Sequence, residues 1–359
     1  ALGRAGRMLT VPRPAAGGIG EALPDAVDPF ALSLNENPFP PLPAVRAALI
    51  RSVCTANRYP EFLPERLRGV IAEHIGVPAE LVVLGAGATG VMLQVLQALT
   101  APGDAIAMAT PTFDGYPIVA RMARLNTIAV ALDEHGQHDL DGLADAAARA
   151  RVVVLCRPHN PTGTVEPAAA VFRFLRRVPR DTVVLLDEAY VEFTAPEHRI
   201  DVAALVACFP NVVVVRTFSK AYGLAGLRIG YGVASPRLAR PLWDQQLPFG
   251  IAITSLLAVT ASYRAEDELS RRIRSITAER RRLRMRLSAL GVYTTNAHAN
   301  FVYLPPDPQG RAWQRVFARG GVRARYYPDG AARLTVGSRA STVAVLSAVG
   351  KATLERQVR

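Results

Sequence analysis

Thr217-Phe218-Ser219-Lys220-Ala221-Tyr222-Gly223-Leu224-Ala225-Gly226-Leu227-Arg228 decides how this chain is read. Of the 42 Lys and Arg residues in 359, only Lys220 and Lys351 are lysines. A chain that otherwise writes arginine has a chemical reason to keep a lysine here. Guanidinium stays protonated, whereas a desolvated lysine amine can lose its proton and attack a carbonyl. Glycines and other small residues around Lys220 suit an amine pressed against a cofactor.

Just upstream, the apolar run 212–215 reads as a strand buried on both faces, like 152–156 and 183–186. Further strands are expected at 81–84, 105–109 and 229–233, with helical patterns between them. Strands alternating with helices predict an α/β fold: a large domain with a mostly parallel sheet sandwiched by helices. From about 250 the pattern changes to a long helix (roughly 254–290), strands at 301–304 and 332–336, and a last helix near 341–355, a smaller α+β domain. Residues 1–40 are dense in Pro, Gly and Ala and are expected to form an extended arm. The expected boundaries are 1–40 for the arm, 41–240 for the large domain and 241–359 for the small one.

Ligands of an open parallel sheet bind at the carboxyl ends of its strands. Gly85-Ala86-Gly87-Ala88-Thr89-Gly90 follows the first strand and precedes a helix, so the amides at that helix start can cradle a phosphate. A nicotinamide dinucleotide is the competing occupant. It also requires an acid at the end of the second strand, which here ends in Thr110-Pro111. Arg157-Pro158-His159-Asn160-Pro161-Thr162-Gly163 follows the 152–156 strand and presents an amide on a tight loop. Asp187 ends the 183–186 strand, where a buried carboxylate needs a partner; a protonated pyridine nitrogen is one, an ion pair or helix cap another. Four strand ends thus offer a phosphate cradle, an amide, an acid and a lysine.

Composition permits this and excludes other classes. Half the residues are hydrophobic and 20% are charged, as in a folded globular chain. No apolar run is long enough to span a membrane, and the first 30 residues carry no signal-peptide pattern. Cys54, Cys156 and Cys208 have neither metal-site nor disulfide spacing, which suggests a reducing, cytoplasmic setting. The net charge of +12 raises the question of nucleic acid. The densest basic stretch, 271–286, also places Leu269, Ile273, Ile276, Leu283 and Leu287 near helical spacing, so it reads as an amphipathic helix with a solvated basic face. No nucleic-acid-binding motif accompanies it.

Together with Asn35-Glu36-Asn37-Pro38, Asn57-Arg58-Tyr59-Pro60 and Asp187-Glu188-Ala189-Tyr190, these segments resemble the fold-type I (aspartate-aminotransferase-like) pyridoxal-phosphate aminotransferases, most closely the histidinol-phosphate and aromatic subgroup. The resemblance runs from about Leu34 to the last helix. It implies pyridoxal 5'-phosphate bound through Lys220, whose freed amine then moves the substrate proton. It implies Asp187 on the pyridinium nitrogen, Asn160 and Tyr190 on the phenolic oxygen, and Phe113 stacked on the ring. Ala88, Thr89, Thr217, Ser219 and Arg228 would hold the phosphate, with Tyr59 reaching over from a second subunit of a homodimer. Asn35 and Tyr59 would border the substrate, Arg333 would clamp its carboxylate, and Arg325 matches a position that contacts a distal phosphate. The implied reaction moves an amino group from an amino acid donor to a 2-oxo acid acceptor.

One departure bears on the substrate. Relatives acting on histidinol phosphate usually carry Tyr-x-Pro-Gly in the arm, where this chain reads Val11-Pro12-Arg13-Pro14-Ala15-Ala16-Gly17-Gly18. An aromatic or specialised biosynthetic amino acid is therefore open beside histidinol phosphate. Within the same fold, a decarboxylase of the threonine-phosphate type shares most cofactor contacts. A nicotinamide-dependent oxidoreductase rests on the GxGxxG match alone. A pyridoxal-domain transcription regulator would need a DNA-binding domain that 40 Pro/Gly-rich residues cannot supply.

Overall fold

A computed structural model of the chain describes residues 28–357. Most of the arm expected at 1–40, including 11–18, lies outside the described residues.

Seven strands form the large sheet: β1 (Val82–Ala86), β2 (Ala105–Thr110), β3 (Asn126–Ala131), β4 (Val152–Cys156), β5 (Val183–Asp187), β6 (Val212–Thr217) and β7 (Ile229–Ala234). Their spatial order is β1-β7-β6-β5-β4-β2-β3. All neighbours are parallel except β7, which runs antiparallel to both β1 and β6. The predicted mostly parallel sheet is therefore present.

The two-residue period of a strand explains the unbroken apolar runs. Val153, Leu155, Val184, Leu186, Val212 and Val214 enter one core, shared with helices Glu65–Ile75, Ala168–Arg177 and Val202–Cys208. Val152, Val154, Val183, Leu185, Val213 and Val215 enter the opposite core, shared with helices Gly87–Leu99 and Gly115–Met122. Each alternate residue packs on a different layer, so every position in the run must be apolar.

The sequence reading missed β3. It is the edge strand, its residues are mostly exposed or half-buried, and its small polar and alanine side chains carry no buried-strand signature. The single long helix expected at 254–290 is instead two, Ile253–Arg264 and Glu266–Ala289, broken at Ala265. Glu266, Asp267 and Glu268 open the second helix, where three acids complement the N-terminal end of its dipole. Its basic face is not wholly solvated either: Arg280 is buried and donates through Nη1 to the Ala299 carbonyl at 2.7 Å.

A second, antiparallel sheet has the order β8-β10-β9, from β8 (Phe301–Leu304), β9 (Arg325–Tyr326) and β10 (Ala332–Thr335). Leu32 belongs to its apolar cluster, and the backbone around it is pinned by Leu32 N to Arg323 O and Thr335 N to Leu32 O, each 2.8 Å. This anchoring delivers residues 33–37 to the edge of the large sheet. Among the described residues no helix is long and apolar enough to cross a membrane.

Candidate active site

The carboxyl ends of β1, β4, β5 and β6 share one edge of the large sheet. Because β7 is antiparallel, its beginning lies at that same edge and brings Arg228 with it. A cavity of about 320 Å³ opens between this edge and the three-stranded sheet. Of the residues singled out from sequence, Lys220, Asp187, Asn160, Tyr190, Phe113, Ala88, Thr89, Thr217, Ser219, Arg228, Asn35, Arg325 and Arg333 all line it. Tyr59 does not. Its ring is 83% exposed and packs against Phe249 with centroids 4.8 Å apart.

Lys220 sits on the turn that follows β6. Asn37 steadies that turn, donating from Nδ2 to the carbonyls of Lys220 (3.0 Å) and Ala221 (3.1 Å). The Lys220 Nζ donates to the Leu34 carbonyl at 3.0 Å. Burial, reinforced by the positive charges of Arg333 and Arg228, pushes its pKa down to about 8. The amine is thereby available as a nucleophile and as a proton carrier.

Asp187 is buried at the end of β5. Tyr116 donates its hydroxyl to Oδ2 at 2.5 Å and the Ala189 amide donates to Oδ1 at 3.0 Å. Burial lifts the Asp187 pKa to about 6, against the opposite pull of those two bonds. Both hydrogen-bond partners are neutral, so a cationic ring nitrogen arriving here would find an acid able to pair with it.

At the opposite end of the cavity the groups suit a phosphate. The helix Gly87–Leu99 begins there, with Ala88 and Thr89 in its first turn. Thr217 Oγ1 lies 3.0 Å from Ser219 Oγ, which also receives a 3.4 Å bond from Arg228 Nη1. Two glycines make the approach possible. A Cβ on Gly87 (φ +71°) would stand 2.3 Å from Arg228 Nη2, and one on Gly230 would stand 2.4 Å from the Ala88 nitrogen.

Between these ends, Tyr190 is the hub of a buried polar network. Its hydroxyl accepts from Asn35 Nδ2 at 3.0 Å and from Asn160 Nδ2 at 3.4 Å. Burial raises its pKa, keeping the phenol protonated and able to donate into the cavity. Asn160 turns its Oδ1 to Arg333 Nη1, and Arg333 Nη2 donates to the Ser33 carbonyl at 2.7 Å. The Asn160 loop is braced from behind by Thr295 Oγ1 on the Thr162 carbonyl at 2.6 Å. Phe113 sets its ring edge-on to Tyr116, centroids 5.4 Å apart, at the cavity wall.

Sequence reasoning missed Tyr116 and Asp114, the partners of Asp187 and Arg325. Tyr116 lies three residues beyond Phe113, a spacing that places both on one side of a helical turn, which was the available signal. Asp114, which donates nothing to periodicity, had none.

An amine of depressed pKa, a buried acid that suits a pyridinium, and a helix-start phosphate cradle together define an enzyme of the fold-type I, pyridoxal-phosphate class. The chain belongs to the aminotransferase class I and II family, whose profile it matches over residues 27–348. It is 41% identical over 322 residues to an aromatic amino acid aminotransferase of Cutibacterium acnes, covering 89% of this chain and 92% of that protein. It is also 41% identical over 309 residues to one from Streptomyces avermitilis, covering 86% of each. Among solved structures, the histidinol-phosphate aminotransferase of Sinorhizobium meliloti in complex with pyridoxal-5'-phosphate superposes with a TM-score of 0.84 at 26% identity, covering 91% of both chains. The protein is an aminotransferase, and its cavity residues fit pyridoxal phosphate.

Proposed function

We propose that this aminotransferase takes an aromatic amino acid as donor and a 2-oxo acid as acceptor. The observation that carries the reading is the placement of Lys220 and Arg333 on one cavity. Lys220 supplies an amine that is basic yet readily deprotonated. Arg333 supplies a buried guanidinium whose Nε has no hydrogen-bond partner among the described residues, a planar donor suited to a substrate carboxylate. The similarity to enzymes named for aromatic amino acids supports the choice of donor.

In this reading Lys220 would hold the cofactor through its amine and would carry the proton that leaves the substrate carbon. Pyridoxal phosphate, when bound, supplies an electron sink for the bond broken at that carbon. Asp187 keeps the ring nitrogen protonated, with Tyr116 orienting the carboxylate. Asn160 and Tyr190 would donate to the phenolic oxygen, and Phe113 would flank the ring. Ala88, Thr89, Thr217, Ser219 and Arg228 hold the phosphate. Residues 41–240 then carry the cofactor, 241–359 the carboxylate clamp, and 1–40 the arm.

The site is completed in a homodimer, with Tyr59 entering the partner's cavity. Tyr59 (83%), Phe62 (60%), Leu247 (67%) and Phe249 (42%) form an exposed apolar patch suited to burial by a second copy. The three free cysteines suit a cytoplasmic setting.

A visible spectrum of the holoenzyme, taken before and after phenylalanine, tyrosine, glutamate or histidinol phosphate, tests the donor. Conversion of the bound cofactor to its pyridoxamine form by the aromatic donors supports the reading. No conversion by phenylalanine or tyrosine overturns it.

A further inference from the structure

Arg325 on β9 and Arg333 on β10 are direct cross-strand partners, so their side chains leave the sheet on the same side, and both line the cavity. Two like charges placed so repel one another. The surroundings treat them differently. Arg333 is buried and, among the described residues, donates only to neutral oxygens, those of Asn160 and Ser33. Arg325 donates from Nη2 to the carboxylate of Asp114 at 2.6 Å, with its guanidinium 5.7 Å from the Tyr327 ring centroid. Asp114 comes from the opposite wall, between Phe113 and the helix Gly115–Met122. One cation is thus left uncompensated for a carboxylate, while its neighbour is cancelled across the cavity.

We propose that Asp114 sets the side-chain class of the substrate. By cancelling Arg325 it leaves that end of the cavity neutral, with Phe113 on the same lining. A neutral, aromatic side chain fits such an end. A second anion, phosphate or carboxylate, must compete with Asp114 for Arg325 and lie close to a like charge, a repulsive element that discriminates against it. The Asp114 side chain is 59% exposed, so water and salt screen this effect and keep it moderate. The inference rests on the aminotransferase reading above and deepens it.

The test is Asp114→Asn, measured in the holoenzyme as the ratio of kcat/KM for histidinol phosphate to that for phenylalanine. The ratio rises about tenfold, mainly through a lower KM for the phosphorylated donor. Asp114→Glu restores the wild-type ratio, and adding Arg325→Gln to Asp114→Asn abolishes the gain. A binding readout runs alongside: the Kd of 3-phosphonopropanoate falls about tenfold relative to that of 3-phenylpropanoate in Asp114→Asn. An unmoved ratio in Asp114→Asn, a gain that survives Arg325→Gln, or a wild-type preference for the phosphorylated donor overturns the proposal. If wild type turns over neither donor, the substrate reading fails, and the two Kd values still decide the role of Asp114.

Discussion

Tyr116 donates its phenolic hydrogen to Asp187 across 2.5 Å, joining a helix on one face of the large sheet to the end of its central strand β5. The bond is buried, and it opposes the rise that burial imposes on the Asp187 pKa. Tyr116 therefore helps keep the carboxylate ionised, as the proposed pairing with a cationic ring nitrogen requires. Tyr116→Phe keeps the ring and its packing but removes the donor. Hydrogen bonds to charged groups contribute about 1.5–3 kcal/mol, so the cofactor Kd rises by about tenfold or more. Absorbance titration with pyridoxal phosphate checks this, and a Kd within twofold of wild type refutes it.

The depressed pKa of Lys220 has a definite pH signature in the cofactor-free protein. The ammonium form cannot attack an aldehyde, so the rate of cofactor capture climbs as pH rises through about 8 and then levels. An ordinary lysine would still be climbing well above that pH. Arg333 is the largest charged contributor to the depression, so Arg333→Gln moves the midpoint upward. Stopped-flow capture rates across pH measure both effects. Lys220→Ala leaves the fold intact by circular dichroism and abolishes transamination; normal turnover in that variant would remove the mechanism's foundation.

Gly87→Ala tests the phosphate cradle. The added methyl meets Arg228 Nη2 at 2.3 Å, and φ of +71° is strained for any side chain. Strain of this kind costs about 1–3 kcal/mol, visible as a lower Tm. Affinity for pyridoxal phosphate falls more than affinity for pyridoxal, which lacks the phosphate. Equal losses for the two ligands would place the phosphate elsewhere.

Much of this is legible in the sequence, for a physical reason. A strand buried on both faces must be apolar throughout, so the polar residue that ends it stands out, as Asp187 does; Asn160 shows in the Pro/Gly-fixed loop after β4, and Lys220 in its rarity within an arginine-rich chain. Tyr116, Asp114 and Arg280 are not legible in this way. Each acts by meeting a group distant in sequence, and neither periodicity nor composition records such a meeting. The same holds for β3, whose place at the sheet edge relieves it of the apolar pattern. The break at Ala265 did leave a trace in the acids at 266–268, which favour a helix start over a helix interior.

Tyr59 carries the last prediction, because its exposed ring lies outside its own cavity. If it serves the partner's cofactor, Tyr59→Ala and Lys220→Ala damage different chains' contributions to one site. Each variant alone is weakened or dead. In a mixed dimer one site receives both lesions and the other receives neither. Random reassortment of a symmetric dimer makes half of the dimers mixed, so about a quarter of all sites regain a full complement. Activity of an equimolar mixture, after dissociation and reassociation, should therefore exceed the mean of the two variants assayed separately. Activity equal to that mean would mean that Tyr59 serves its own chain or none, and that the apolar patch around Phe249 has another role.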